Sequence, residues 1–255
     1  MKILITGGKG YIAKSIYNKL HTKYNIIAPG RDELDLNDKK SVDSFFQDKC
    51  FDVVIHTAIK GGSRLQEDEK NIISTNLEIF SNLIFHQDKF KKLINLGSGA
   101  EIYMSETPYG QSKKIINECI QKKDNWYTLR IFGVFDENEL DTRFIKANIK
   151  RYIDKKPIQI FQNKLMDFFY MEDLVSLIEF YILHKPGIKD LDCVYNKTIS
   201  LEYIANIINH LSDYQVPIHF MEEKMGDCYI GFNNGLPIEC LGLEQGIKNV
   251  FNKLK

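Results

Sequence analysis

The spacing of apolar residues changes along this chain. Lys2–Thr6 is a short apolar run that ends in a glycine cluster, and Tyr11–Leu20 behind it carries helical spacing. Asn25–Ala28 reads as a second strand and Lys39–Gln47 as a second helix. Asp52–Thr57, Asp-Val-Val-Ile-His-Thr, has the continuous apolar character of a strand covered on both faces. Asn71–His86 sets Ile72, Ile73, Leu77, Phe80, Leu83 and Ile84 at the spacing of a long amphipathic helix. Lys92–Leu96, Gln111–Gln121 and Trp126–Phe132 then repeat strand, helix and strand. Such alternation predicts an α/β fold, a doubly wound parallel sheet with helices on both faces.

Past about residue 133 the alternation loosens. Helical spacing returns at Phe144–Tyr152, Met171–His184, Leu201–Leu211 behind a Ser200 cap, and Leu243–Leu254. Short strands are expected at Ile158–Phe161 and Val216–Phe220, and no repeat, low-complexity stretch or linker interrupts the tail. The tail is therefore expected to form a small α+β lobe packed on the sheet.

Composition removes several classes of function. The 34 basic and 34 acidic side chains cancel, which argues against nucleic acid as a partner. No apolar stretch approaches the ~20 residues of a membrane span. The first strand begins at once, leaving no room for a signal peptide ahead of it. Cys50, Cys119, Cys193, Cys228 and Cys240 are odd in number and lack C-x-x-C spacing, which predicts reduced thiols, a cytoplasmic location and no metal site.

The chemistry starts in Thr6-Gly-Gly-Lys-Gly-Tyr-Ile-Ala13, where a strand turns through glycines into a helix. Gly7 permits the tight turn, Gly10 permits an anion to approach the backbone, and Ala13 lets the helix pack close to its strand. The helix start at Tyr11 and Ile12 offers N–H groups and a partial positive charge. Residues 1–135 are accordingly read as a dinucleotide-binding core and 136–255 as mostly a substrate lobe, part of the middle segment returning to the sheet.

A second constellation is Tyr109-Gly-Gln-Ser-Lys113. Four residues apart on a helix, the phenol and the ammonium face the same way. A neighbouring ammonium favours the phenolate, so the tyrosine can exchange a proton with a substrate oxygen. Ser98 lies where the fourth strand ends, at the edge of an α/β sheet where ligands bind, placed to hold the same oxygen. His56, inside an apolar strand, is read as a core histidine.

These motifs, with Asp52–Ala58, Asn76, Leu129-Arg-Ile-Phe-Gly133 and Asp167-Phe-Phe-Tyr-Met-Glu-Asp-Leu174, resemble the extended short-chain dehydrogenase/reductase family, the NAD(P)-dependent sugar epimerase/dehydratase group. The resemblance covers essentially the whole chain. It implies Ser98, Tyr109 and Lys113 as the catalytic set, with Tyr109, Lys113, Thr57 and Ala58 also beside the cofactor. It also implies a nucleotide-sugar substrate and a homodimer.

Arg31-Asp-Glu-Leu-Asp-Leu36 resembles the matching segment of GDP-fucose synthase-like and dTDP-4-dehydrorhamnose reductase-like 4-ketoreductases. A residue just after the second strand meets the adenosine ribose. Arg31 there would attract a 2′-phosphate and select NADP(H), whereas a ribose contact by Asp32 would leave Arg31 in solvent. The family comparison puts Asp35 and Leu36 beside the adenine. Glu101, Arg130 and Arg143 are candidates for substrate, Arg130 and Arg143 as diphosphate contacts. A local surface ion pair is the other reading of Arg143.

Three departures from the family narrow the chemistry. Ten residues separate Ser98 from Tyr109, so the usual covering loop is short. Gly99 and Ala100 stand where the epimerising members carry cysteine, and no histidine falls between His86 and His184. Ala100 and Glu101 stand where dehydratases carry an Asp–Glu pair. The expectation that remains is NADP-dependent reduction of a 4-keto nucleotide sugar. The alternatives are a 4-epimerase with retained NAD and a non-catalytic NAD(P)-binding sensor.

Overall fold

The computed structural model describes residues 1–62 and 68–255. Its elements are β1 (Lys2–Thr6), α1 (Tyr11–Leu20), β2 (Asn25–Ile27), α2 (Lys39–Phe46), β3 (Phe51–His56), α3 (Ile72–Phe85), β4 (Phe90–Ser98), α4 (Ala100–Tyr103), α5 (Pro108–Gln121) and β5 (Trp126–Ile131). They continue as β6 (Val134–Phe135), α6 (Phe144–Ile153), β7 (Ile158–Gln162), β8 (Phe169–Tyr170), α7 (Met171–Leu183), β9 (Asp190–Cys193), α8 (Leu201–Asn209), β10 (Ile218–Glu222) and α9 (Leu243–Leu254). Two compact units result: Met1–Arg130 with Ile178–Leu191, and Ile131–Leu177 with Asp192–Lys255. Among the described residues no helix is long and apolar enough to cross a membrane.

The six-stranded sheet runs β2-β1-β3-β4-β5-β9. β1 pairs in parallel with β2 and β3, and β3 in parallel with β4, as the apolar runs required. Ile3, Leu4, Ile5, Val54, Ile55, Leu93 and Ile94 are fully buried, because helices cover both faces of these strands. One cluster joins Leu4, Val54 and Leu93 of the sheet to Phe46 of α2 and to Phe80 and Leu83 of α3. β9 joins the sheet without an apolar run: its Asp-Leu-Asp-Cys pattern has too few apolar residues to signal a strand. α5 starts three residues earlier than its apolar spacing suggested. Thr107 caps it, its side chain accepting the Gly110 N–H, and Pro108 occupies the first turn, where a missing N–H costs nothing.

In the second unit a separate core gathers Ile145, Ile149 and Tyr152 of α6, Ile204 and Ile208 of α8, and Ile247, Val250 and Phe251 of α9. Two short two-stranded sheets, β10-β7 and β6-β8, complete it.

Glu139 is buried just ahead of α6, where its carboxylate accepts the Lys146 N–H at the helix start. Burial lifts its pKa from 4.5 to about 8, against the opposing pull of that N–H and of the Arg143 charge. A folded-state pKa above the unfolded one contributes stability that is complete below about pH 4.5 and is lost as pH rises through about 8. Glu139→Gln keeps an acceptor and removes the titration. In urea unfolding it is expected to match the wild type near pH 4.5 and to exceed it near pH 8, by an amount on the order of a few kcal/mol. Equal pH dependence in the two proteins would contradict this account.

Candidate active site

Two places in the first unit carry the groups singled out above: the crevice between the ends of β1 and β3, and the end of β4. At the crevice, the Thr6 hydroxyl accepts the N–H groups of Thr57 and Ala58, both at 3.2 Å. The Thr57 hydroxyl donates back to the Thr6 carbonyl at 2.7 Å. This cross-lacing draws the strand ends together so closely that a side chain at residue 7 has no room. Gly7 sits at φ +67, and a Cβ there would fall 3.0 Å from Ala58 Cα. At Gly8 a Cβ would fall 2.0 Å from the Ala28 carbonyl oxygen, so the tightest approach lies one residue beyond the expected one.

Gly10 then caps α1 with no side chain over the helix end, and Tyr11 and Ile12 form its first turn. A cavity of about 380 Å³ opens there. Gly7, Gly10, Arg31, Asp35, Leu36, Thr57 and Ala58, all expected at the cofactor, line it. Tyr11 and Ile12 are not among its lining residues.

Arg31 donates through Nε to Asp35 Oδ2 at 3.0 Å. Burial works against ionisation of Asp35, but the Asn37 N–H and the Arg31 guanidinium together hold its pKa below the usual carboxylate range. Asp32 is engaged by Lys9, Nζ to Oδ1 at 2.6 Å, on an exposed surface. Lys9 lines the cavity as well and was not singled out from the sequence, although its place inside the glycine turn was signal enough. Two cations therefore border this end of the cavity. An uncapped helix start, a glycine cradle and paired cations suit the phosphates of a dinucleotide.

At the end of β4, Lys113 is buried, and its Nζ donates to the Leu96 carbonyl at 2.6 Å, two residues before Ser98. Burial lowers its pKa from 10.5 to about 8, while the Glu101 carboxylate pulls in the other direction. Tyr109 lies one helical turn earlier in α5, half-buried. The Ser98 hydroxyl accepts the Ala100 N–H at 3.2 Å, and the Ser98 N–H donates to Glu101 Oε1 at 2.8 Å.

Asn76 joins the two places. Its buried carboxamide accepts the Lys60 N–H, donates to the Lys60 carbonyl and donates to the Ser112 hydroxyl. Ser112 in turn donates to the Tyr109 carbonyl at 2.7 Å. Asn76 shares the buried stripe of α3 with Ile72, Phe80 and Leu83, and a polar residue on such a stripe is itself a sequence signal.

The substrate candidates are placed differently. Glu101 and Arg130 are buried and paired with each other, Oε2 to Nε at 3.1 Å, and Arg130 also reaches Asp190 at 2.6 Å. Burial raises the Glu101 pKa despite the nearby Arg130 charge. A guanidinium between two carboxylates inside the unit braces the fold, so the expectation of substrate contact at Glu101 and Arg130 gives way to that bracing role. Arg143 is exposed at the start of α6, in the second unit, where its charge acts on Glu139. His56 is buried against Phe80, with Nδ1 3.0 Å from the Thr6 hydroxyl. Burial, and next the Lys113 charge, depress its pKa to about 3, so it stays neutral.

Comparison with known proteins fits this geometry. Residues 3–196 match the NAD dependent epimerase/dehydratase family. The chain is 26% identical over 228 residues to a GDP-L-colitose synthase of Yersinia pseudotuberculosis, covering 72% of each protein. It superposes on a GDP-mannoheptose C4 reductase of Campylobacter jejuni, solved with NADP bound, with TM-score 0.79 and 18% identity over 98% of this chain and 97% of that one. A UDP-glucose 4-epimerase of Thermotoga maritima gives TM-score 0.80 and 17% identity over 100% and 98%. These two likenesses speak for the fold. The match over residues 3–196, in the order in which the glycine turn, Ser98, Tyr109 and Lys113 occur, makes this chain a member of the NAD-dependent epimerase/dehydratase family, an extended short-chain dehydrogenase/reductase.

Proposed function

We propose that this chain is an NADP-dependent reductase of a 4-keto nucleotide sugar. The observation that carries the reading is Lys113: a buried ammonium with a depressed pKa, anchored to the β4 carbonyl beside Ser98 and one helical turn from Tyr109. Gly7, Gly10, Tyr11 and Ile12 would hold the cofactor's pyrophosphate, and Thr57, Ala58, Asp35 and Leu36 its adenosine half. Arg31, with Lys9, would face a 2′-phosphate. Bound there, the nicotinamide supplies a hydride to the sugar carbonyl carbon.

The protein's own groups manage the oxygen. Ser98 and Tyr109 hydrogen-bond the ketone oxygen, which polarises the carbonyl and fixes its orientation. Tyr109 delivers its proton to that oxygen as negative charge develops. The Lys113 ammonium stabilises the resulting phenolate through its charge. Because Lys113 is itself near 8, its charge, and with it this support, declines as pH rises through that value.

The GDP-linked sugars in the names of two of the compared proteins make GDP-linked 4-keto sugars the first to assay. An epimerase that retains NAD would consume no net cofactor. Loss of NADPH absorbance on adding a 4-keto sugar separates the two.

Two outcomes are expected. Tyr109→Phe lowers kcat about 10²–10⁴-fold while NADPH still binds by fluorescence titration. Unchanged turnover would remove the phenol from the chemistry, and no turnover in either protein would favour a sensor. Arg31→Ala raises KM for NADPH about ten-fold and leaves KM for NADH unaltered. Equal effects on both cofactors would overturn the choice of NADP.

A further inference from the structure

The loop between β3 and α3 carries two consecutive glycines in the left-handed region, Gly61 at φ +84 and Gly62 at φ +72. Neither belongs to the glycine turn after β1. Their surroundings differ. A methyl at Gly61 would meet the Asp68 carboxylate at 2.6 Å and Ile72 at 3.0 Å. A methyl at Gly62 would fall 2.5 Å from Cζ of Tyr109 and 2.7 and 2.8 Å from its two Cε atoms. The bare Cα of Gly62 therefore rests against the hydroxyl end of the Tyr109 ring, nearer than any side chain allows.

Lys60 and Gly62 are both tied in place. Lys60 is held through both its N–H and its carbonyl by Asn76, at 2.9 and 3.0 Å. The Gly62 N–H donates to Asp68 Oδ1 at 2.9 Å. The same Asn76 reaches Tyr109 from the other side, through the Ser112 hydroxyl. Loop backbone and helix backbone are thus referenced to one buried carboxamide, and Gly62 is where the loop meets the phenol.

We propose that Gly62 is a positioning residue: its bare Cα is the stop against which the Tyr109 phenol is set, and the size of residue 62 decides where the phenol oxygen points. The proposal rests on the reading of Tyr109 as proton donor. A catalytic group must be held to within about 0.5 Å, and a displacement of about 1 Å can cost on the order of 10²-fold in rate. Because the clash at residue 62 is with the far end of a side chain, a methyl there moves the ring and leaves the sheet intact.

The test uses the full-length chain labelled at tyrosine Cζ with carbon-13, the Tyr109 resonance being assigned by its loss in Tyr109→Phe. Gly62→Ala is expected to move that resonance and to lower kcat at least about ten-fold, with the NADPH Kd within about two-fold of wild type. Gly235→Ala carries similar left-handed strain, at φ +82, and its methyl would meet nothing within 4 Å, so the resonance is expected to stay in place. In the background of Tyr109→Phe, Gly62→Ala is expected to cost little further activity. If Gly62→Ala does not fold, Asp68→Ala, which frees only the Gly62 N–H, is expected to move the same resonance.

Equal shifts from Gly235→Ala and Gly62→Ala, or an unmoved resonance in a folded Gly62→Ala or Asp68→Ala protein, would overturn the proposal. So would a full ten-fold loss in the Tyr109→Phe background. If the wild type reduces no nucleotide sugar yet Gly62→Ala alone shifts the resonance, the placement stands and the reductase reading falls.

Discussion

A lysine ammonium buried at the end of a parallel strand is the constraint on which the rest of the first unit depends. A charge taken out of water is tolerated only if the protein supplies replacement partners. Lys113 obtains one from the Leu96 carbonyl and another, at longer range, from Glu101. Glu101 is itself buried, and is kept in place by Arg130 and by the Ser98 N–H. Arg130 leans on Asp190 in β9, and Asn117 of α5 donates to the same carboxylate. Burial pushes the His56 pKa in the same direction as that of Lys113, down to about 3, so that ring remains neutral. The charges near β4 thus form one chain of dependence, and Ser98 hangs from it through its own N–H.

That arrangement explains why a charge standing inside a sequence motif is not thereby assigned to a ligand. Arg130 and Glu101 have the chemistry to hold a diphosphate and a sugar hydroxyl. In the folded unit they are occupied with each other, in a place where leaving either unpaired would be costly. Arg31 and Lys9 show the contrasting case. Both cations are exposed and only Asp35 of their two acidic partners is partly buried, a setting in which ion pairs contribute little. The depth at which a cation sits separates a brace from a side chain left available to solvent.

Close approach of backbone does comparable work where no charge is involved. Gly7 and Gly8 let the first turn press against Ala58 and the Ala28 carbonyl, which brings the start of α1 to the mouth of the crevice. Residues 58–60 continue along the cavity wall, and two residues later the same loop reaches Tyr109. One short stretch of chain therefore borders both the cavity and the phenol, and Asn76 ties its Lys60 to Ser112 of α5.

Periodicity and glycine placement alone determined the parallel sheet, the long helices, the turn after β1 and the order of Ser98, Tyr109 and Lys113. These follow from local rules: strand and helix periods, the conformational freedom of glycine, and the shared face of residues four apart. Boundaries of elements such as α5 were displaced because Thr107 and Pro108 start the helix before its apolar stripe begins. Tertiary structure alone decided that β9 joins the sheet, that Glu101 and Arg130 spend their charges on each other, and that Lys9 stands with Arg31. It alone set Gly62 against the Tyr109 ring. Each of these depends on which atoms meet across long separations in the chain, and a linear pattern carries the identity of the groups without their distance or their burial.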